Sequence, residues 1–146
     1  MQGIKRKVVY VTLYEAIAIA VATVGLMAMS GQGAVHSGVL SVMASAIAVV
    51  WNLGYNHAFE WWESRQAVKG RSVARRVAHA IGFEGGLAAI LVPVFAWWLQ
   101  VSLWQALWMD LGLLLFFLVY TFVFNWTFDR VFGLPVSAQP AAVTAA

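Results

Sequence analysis

The chain has 146 residues, of which 62% are hydrophobic and 10% charged, and its mean hydropathy is +0.79. About a quarter of the residues of an average soluble protein are charged, so this composition points to an integral membrane protein with little sequence left for a soluble domain. Cysteine is absent, which excludes disulfides, thiolate metal sites and cysteine nucleophiles, and the net charge of +3 comes from a few clustered Lys and Arg residues.

In chain order, Lys5, Arg6 and Lys7 precede a first apolar run at residues 8–29. A run of about 20 apolar residues crosses a bilayer core. This one is longer than the apolar part of a signal peptide and holds Glu15, so it is expected to remain as a span. Ala16, Ala18, Ala20, Ala22 and Gly25 give it a small-residue surface for helix packing. The connection SGQGAVHS has no Lys or Arg and leads to a second run at 38–57, where Asn52 and Asn56, four apart, share one helix face. Trp61 and Trp62 flank its end. The loop ESRQAVKGRSVARR carries Arg65, Lys69, Arg71, Arg75 and Arg76, and is expected to be solvated beside lipid headgroups rather than to bind nucleic acid. A third run at 77–99 contains His79 and Glu84. The turn LQVS, again without a basic residue, is bracketed by Trp97, Trp98, Trp104 and Trp108, placed as an interfacial belt. The fourth run, 103–126, holds Asp110 and Asn125; Arg130 follows, and LPVSAQPAAVTAA reads as a disordered tail. Glu60, Glu63, Asp129 and Arg130 are expected to pair with one another or with the basic loop at the inner interface. The positive-inside rule puts both termini and the middle loop in the cytoplasm.

The halves repeat each other. KVVYVTLYE (7–15) lies over RVAHAIGFE (76–84), and WNLGYNHAFE (51–60) over YTFVFNWTFD (120–129), both at a displacement of 69 positions, so that Glu15 falls on Glu84 and Asn56 on Asn125. The predicted fold is therefore an all-α integral membrane protein of four transmembrane helices, built as two parallel-repeat helical hairpins with both termini cytoplasmic. The first repeat takes residues 1–66, the second 67–133, and the tail 134–146.

Helix rise places each carboxyl about 12 Å in from its basic flank, level with Asn52 and Thr121 on the returning helices, with Asn56 and Asn125 about one turn shallower. An ionised carboxylate at that depth is costly and should face the bundle interior. It can bind a proton or a cation, and rings at Tyr14, Trp51, Tyr55 and Phe83 could hold an organic cation by its charge and its apolar body. Competition of the two for one site is sufficient for antiport. Simpler roles stay open at several positions: Glu84 as a structural acceptor, with Gly85 and Gly86 permitting close helix approach; His79 as an interfacial structural histidine; Asn52, Asn56 and Asn125 as interhelical hydrogen-bonding groups; Asp110 as an outer proton or cation station or a residue reaching for water.

These motifs resemble the proteobacterial antimicrobial compound efflux (PACE) family, built from two bacterial transmembrane pair domains. RVAHAIGFEGG, WNLGYNHAFE and YTFVFNWTFD carry the resemblance, which covers residues 5–132. It implies a proton-driven exporter of cationic biocides such as chlorhexidine and acriflavine in the bacterial inner membrane, with short-chain diamines as suggested physiological substrates. The family's coupling glutamate maps onto Glu15, and its Arg-x-x-His pattern onto Arg76 and His79. The first repeat departs from that pattern, with Lys7 and Tyr10 in those places.

The sequence thus leads to a proton-coupled antiporter with Glu15 as its coupling residue, no cofactor and no metal, working in the lipid bilayer as a homodimer on organic cations. A membrane scaffold whose polar layer fixes helix register, or a passive cation or proton pore, are the alternatives. Catalysis has no support, because no nucleophile is paired with a base and the histidines lack metal-ligand spacing.

Overall fold

A computed structural model describes residues 3–135. Four helices account for nearly all of it: α1 (Gly3–Ser30), α2 (Ala34–Ser64), α3 (Val73–Leu99) and α4 (Leu103–Phe132). All four are long and apolar enough to cross a membrane, and among the described residues there is no strand.

The helices outrun the apolar stretches that announce them. α2 starts at Ala34 rather than 38 and continues to Ser64 rather than 57, while α1 and α3 begin at Gly3 and Val73 and α4 ends at Phe132. The apolar run measures the bilayer core, about 30 Å, whereas helix ends are set by caps and breakers. At 31 residues α2 is about 46 Å long and must project from the hydrocarbon. Gly31, at φ 71°, ends α1 in the left-handed region, with its N–H on Met27 O at 2.9 Å. The Ser72 and Ser102 hydroxyls cap α3 and α4 by accepting from Arg75 N and Gln105 N. Of the tail expected from residue 134, all beyond 135 lies outside the described residues.

Each helix packs on the next and α4 returns to α1, so the four close into a ring. Its core gathers near the two short turns, where Leu26, Leu40, Phe95, Leu99, Ala106 and Met109 are buried together. Leu26 and Phe95 are 69 positions apart, as are Leu40 and Met109, so both halves supply the same core positions.

The α2–α3 and α4–α1 seams use matching positions. Between α2 and α3, Trp51 Nε1 donates to Phe83 O at 3.0 Å, and His79 Nε2 to Asn56 Oδ1 at 2.8 Å. Between α4 and α1, Tyr120 OH donates to Tyr14 O at 2.9 Å, and Tyr10 OH to Asn125 Oδ1. Tyr10 stands where the second repeat has His79, and the phenol makes the imidazole's hydrogen bond. Phe59 meets the His79 ring edge-on at 4.7 Å, as Phe128 meets Tyr10 at 5.1 Å.

At the basic end, Arg6 pairs with Asp129 and lies over the Phe128 ring, while Arg71 pairs with Glu63 at 2.9 Å. Arg130 instead lies over Trp126. At the short-turn end Trp98 is no free interfacial ring. It stacks on His36 at 4.8 Å, and the two exchange hydrogen bonds between ring nitrogens and backbone carbonyls.

Candidate functional site

The helices surround a partly open cavity of about 530 Å³ to which all four contribute. Its size falls within the range of small-molecule sites. Leu26, Leu91 and Phe95 of the buried core bound it on the short-turn side, and Tyr14, Asn52, Phe83 and Thr121 line it farther along the helices.

Glu15 reaches the cavity from α1, Glu84 from α3 and Asp110 from α4. Among the described residues no Lys, Arg or His lines it. In their ionised forms three carboxylates without a compensating cation give it a negative field, and in low-dielectric surroundings that field decays slowly. Glu15 is half-buried, and its Oε2 accepts a hydrogen bond from Ser45 Oγ at 2.7 Å. Glu84 and Asp110 are near enough to interact electrostatically. The phenol of Tyr14 shares a hydrogen bond with Thr121 Oγ1 at 2.8 Å.

The residues singled out in the sequence divide into two groups. Tyr14, Glu15, Asn52, Phe83, Glu84 and Asp110 line the cavity. Trp51, Tyr55, Asn56, His79 and Asn125 lie in the seams instead. Tyr55 OH donates to His79 O at 3.1 Å, Asn56 Nδ2 donates to Asn52 O, and His79 and Asn125 bond as described. The cause is close packing. The Trp51 ring covers Gly86 and the Tyr55 hydroxyl covers Gly82, so closely that a Cβ at either glycine would collide. Their faces are therefore spent against α3, while Gly85 next door meets nothing. Arg76 is exposed, with its Nε directed at Arg71 O, away from the cavity. Asp110, for which the sequence left two readings, lines the cavity.

Three cavity-lining polar residues, Ser41, Ser45 and Thr121, escaped nomination as site residues. Thr121 was placed level with the carboxyls but given no role, and Ser41 and Ser45 were given none either. The signal for Ser45 was available in Ser37, Ser41 and Ser45, spaced four apart on one face of α2.

Comparison with known proteins bears on what the cavity serves. The family described as chlorhexidine efflux transporter matches the chain twice, over residues 2–65 and 71–134. The chain is 36% identical over 102 residues to a short-chain diamines transporter of Acinetobacter baylyi, covering 70% of this chain and 72% of that one. It is 37% identical over 101 residues to a protein of the same description from Vibrio parahaemolyticus, covering 68% and 71%. A third, from Acinetobacter baumannii, is 35% identical over 99 residues, covering 68% of each. No solved structure matches the chain. With four membrane-spanning helices, a tandem match over nearly the whole length and these relatives, the chain belongs to the chlorhexidine efflux transporter (PACE) family of multi-pass membrane proteins.

Proposed function

We propose that this protein exports organic cations across the bacterial inner membrane in exchange for protons, with Glu15 as the group that binds one or the other. The observation that carries the reading is the cavity: three carboxylates, no basic residue, and Tyr14, Phe83 and Phe117 among its rings. Such a lining attracts a cation with an apolar body and repels an anion. The relatives described as short-chain diamines transporters and the family's chlorhexidine efflux description support diamines and cationic biocides as substrates.

In this cycle, ionised Glu15 takes a cation from the cytoplasmic side, the bundle rearranges, and a proton from outside occupies the carboxylate and displaces the cation. The proton is given up inside after the return. The basic flanks argue for cytoplasmic termini, which makes the short turns the outer end. The buried core at those turns closes the cavity on that side, as suits a state that loads from the cytoplasm and as a passive pore would not require. The working unit is a homodimer, a reading tested by native mass spectrometry in a gentle detergent.

The decisive experiment titrates the tryptophan fluorescence of purified protein with chlorhexidine, corrected for its ultraviolet absorption, and with 1,4-diaminobutane. Wild type and Glu15→Gln are compared at acid and alkaline pH. Binding by the wild type strengthens as pH rises and the proton is removed as competitor; Glu15→Gln loses this dependence. A Glu15→Gln protein that binds like the wild type, and still exchanges cation for proton in liposomes, refutes the proposal.

A further inference from the structure

The two repeats place a glutamate at corresponding positions, Glu15 and Glu84, yet they are not equivalent. Of the hydroxyls within α1 and α2, Thr23, Ser30 and Ser41 each donate to the carbonyl four residues back, on Ile19, Leu26 and Ser37, at 2.7, 2.6 and 3.0 Å. That is the ordinary fate of a serine or threonine inside a helix. Ser45 departs from it. Its hydroxyl leaves the α2 backbone and crosses to α1, where it donates to Glu15 Oε2 at 2.7 Å. The position 69 residues on from Ser45 is Leu114, which also lines the cavity and has nothing to donate. Glu84 accepts no hydrogen bond among the described residues.

We infer that Ser45 is a positioning residue that selects Glu15, rather than its repeat counterpart Glu84, as the carboxylate at which proton and cation exchange. The inference rests on the antiport reading above. A hydroxyl donating to a carboxylate favours the ionised over the protonated form, and such charge-assisted bonds are stronger than neutral ones. By occupying Oε2 it also fixes the carboxylate plane, leaving Oε1 without a hydrogen bond and available to an ammonium group. The other titratable groups around Glu15 are Tyr14 on α1, Glu84 on α3, and Asp110 and Tyr120 on α4; the polar residues that α2 presents to the cavity are Ser41, Ser45 and Asn52, none of which titrates. Every one of these titratable groups is an acid. Among the described residues Ser45 is thus the only side chain seen to donate a hydrogen bond to Glu15, and its counterpart Leu114 can offer none to Glu84.

The test uses full-length protein and follows chlorhexidine binding across a pH series for wild type, Ser45→Ala, Ser45→Thr and Glu15→Gln, with melting temperature recorded for each. Ser45→Ala is expected to move the midpoint of the pH dependence about one pH unit to the alkaline side, weakening binding about tenfold on the acid side of the midpoint and little above it. Ser45→Thr, which keeps the hydroxyl, restores the wild-type midpoint. A Ser45→Ala midpoint equal to wild type, or a loss of affinity uniform across pH, overturns the role of Ser45 while leaving the Glu15 reading intact. Wild-type behaviour in Glu15→Gln overturns both.

Discussion

Gly86 and Gly85 are adjacent on α3, and the packing predicts opposite consequences when each becomes alanine. In an unobstructed helix, replacing glycine by alanine stabilises by about 1 kcal/mol. Gly85 meets nothing within 4 Å, so Gly85→Ala should show that gain. At Gly86 the new methyl would enter the ring of Trp51, whose Nε1 is tied to Phe83 O at 3.0 Å. The indole cannot yield without rotating, and rotation breaks that bond. Overpacking costs about 1–3 kcal/mol and the hydrogen bond about 1 kcal/mol, so after the propensity gain Gly86→Ala should destabilise by about 1–3 kcal/mol. The two variants should then differ by about 2–4 kcal/mol, equivalent to several degrees in melting temperature at about 2–4 °C per kcal/mol. The assay is thermal unfolding in one detergent, followed by circular dichroism, with tryptophan emission reporting displacement of Trp51. Equal melting temperatures and unchanged emission in the two variants would refute the close approach of α2 to α3.

Tyr10→Phe removes the phenol that donates to Asn125 and should cost about 1 kcal/mol; Tyr10→His, which recreates the His79 arrangement in the first repeat, should recover most of it in the same melting assay. Arg6→Met removes the pairing with Asp129, the bond to Gly133 O and the stacking over Phe128 together. Its loss should cost about 1–3 kcal/mol in low salt, and less of that difference should survive in high salt if the ion pair supplies it.

The four spans, the tandem repeat and the place of Glu15 inside the first apolar run were legible in the sequence, because an apolar run measures a bilayer and one displacement of 69 positions aligns both hairpins. The tandem family match falls on the same halves. What the spacing could not supply was rotation about each helix axis. Trp51 and Tyr55 have the right depth and chemistry to line a cation site, yet Gly82 and Gly86 leave hollows that draw both rings into the α2–α3 seam. Asn52 was read as level with Glu15, but the hydrogen bond to that carboxylate comes from Ser45, seven residues nearer the short turn.

The sequence by itself determined how many helices are long and apolar enough to cross a membrane, that two copies of one unit build the chain, and that Glu15, Glu84 and Asp110 fall inside its apolar runs. Only the tertiary structure decided which of those groups share a cavity and which seal a seam. Depth is a property of one helix and follows from counting residues, whereas the direction a side chain faces is fixed when two helices come close enough for a ring to fill the space above a glycine.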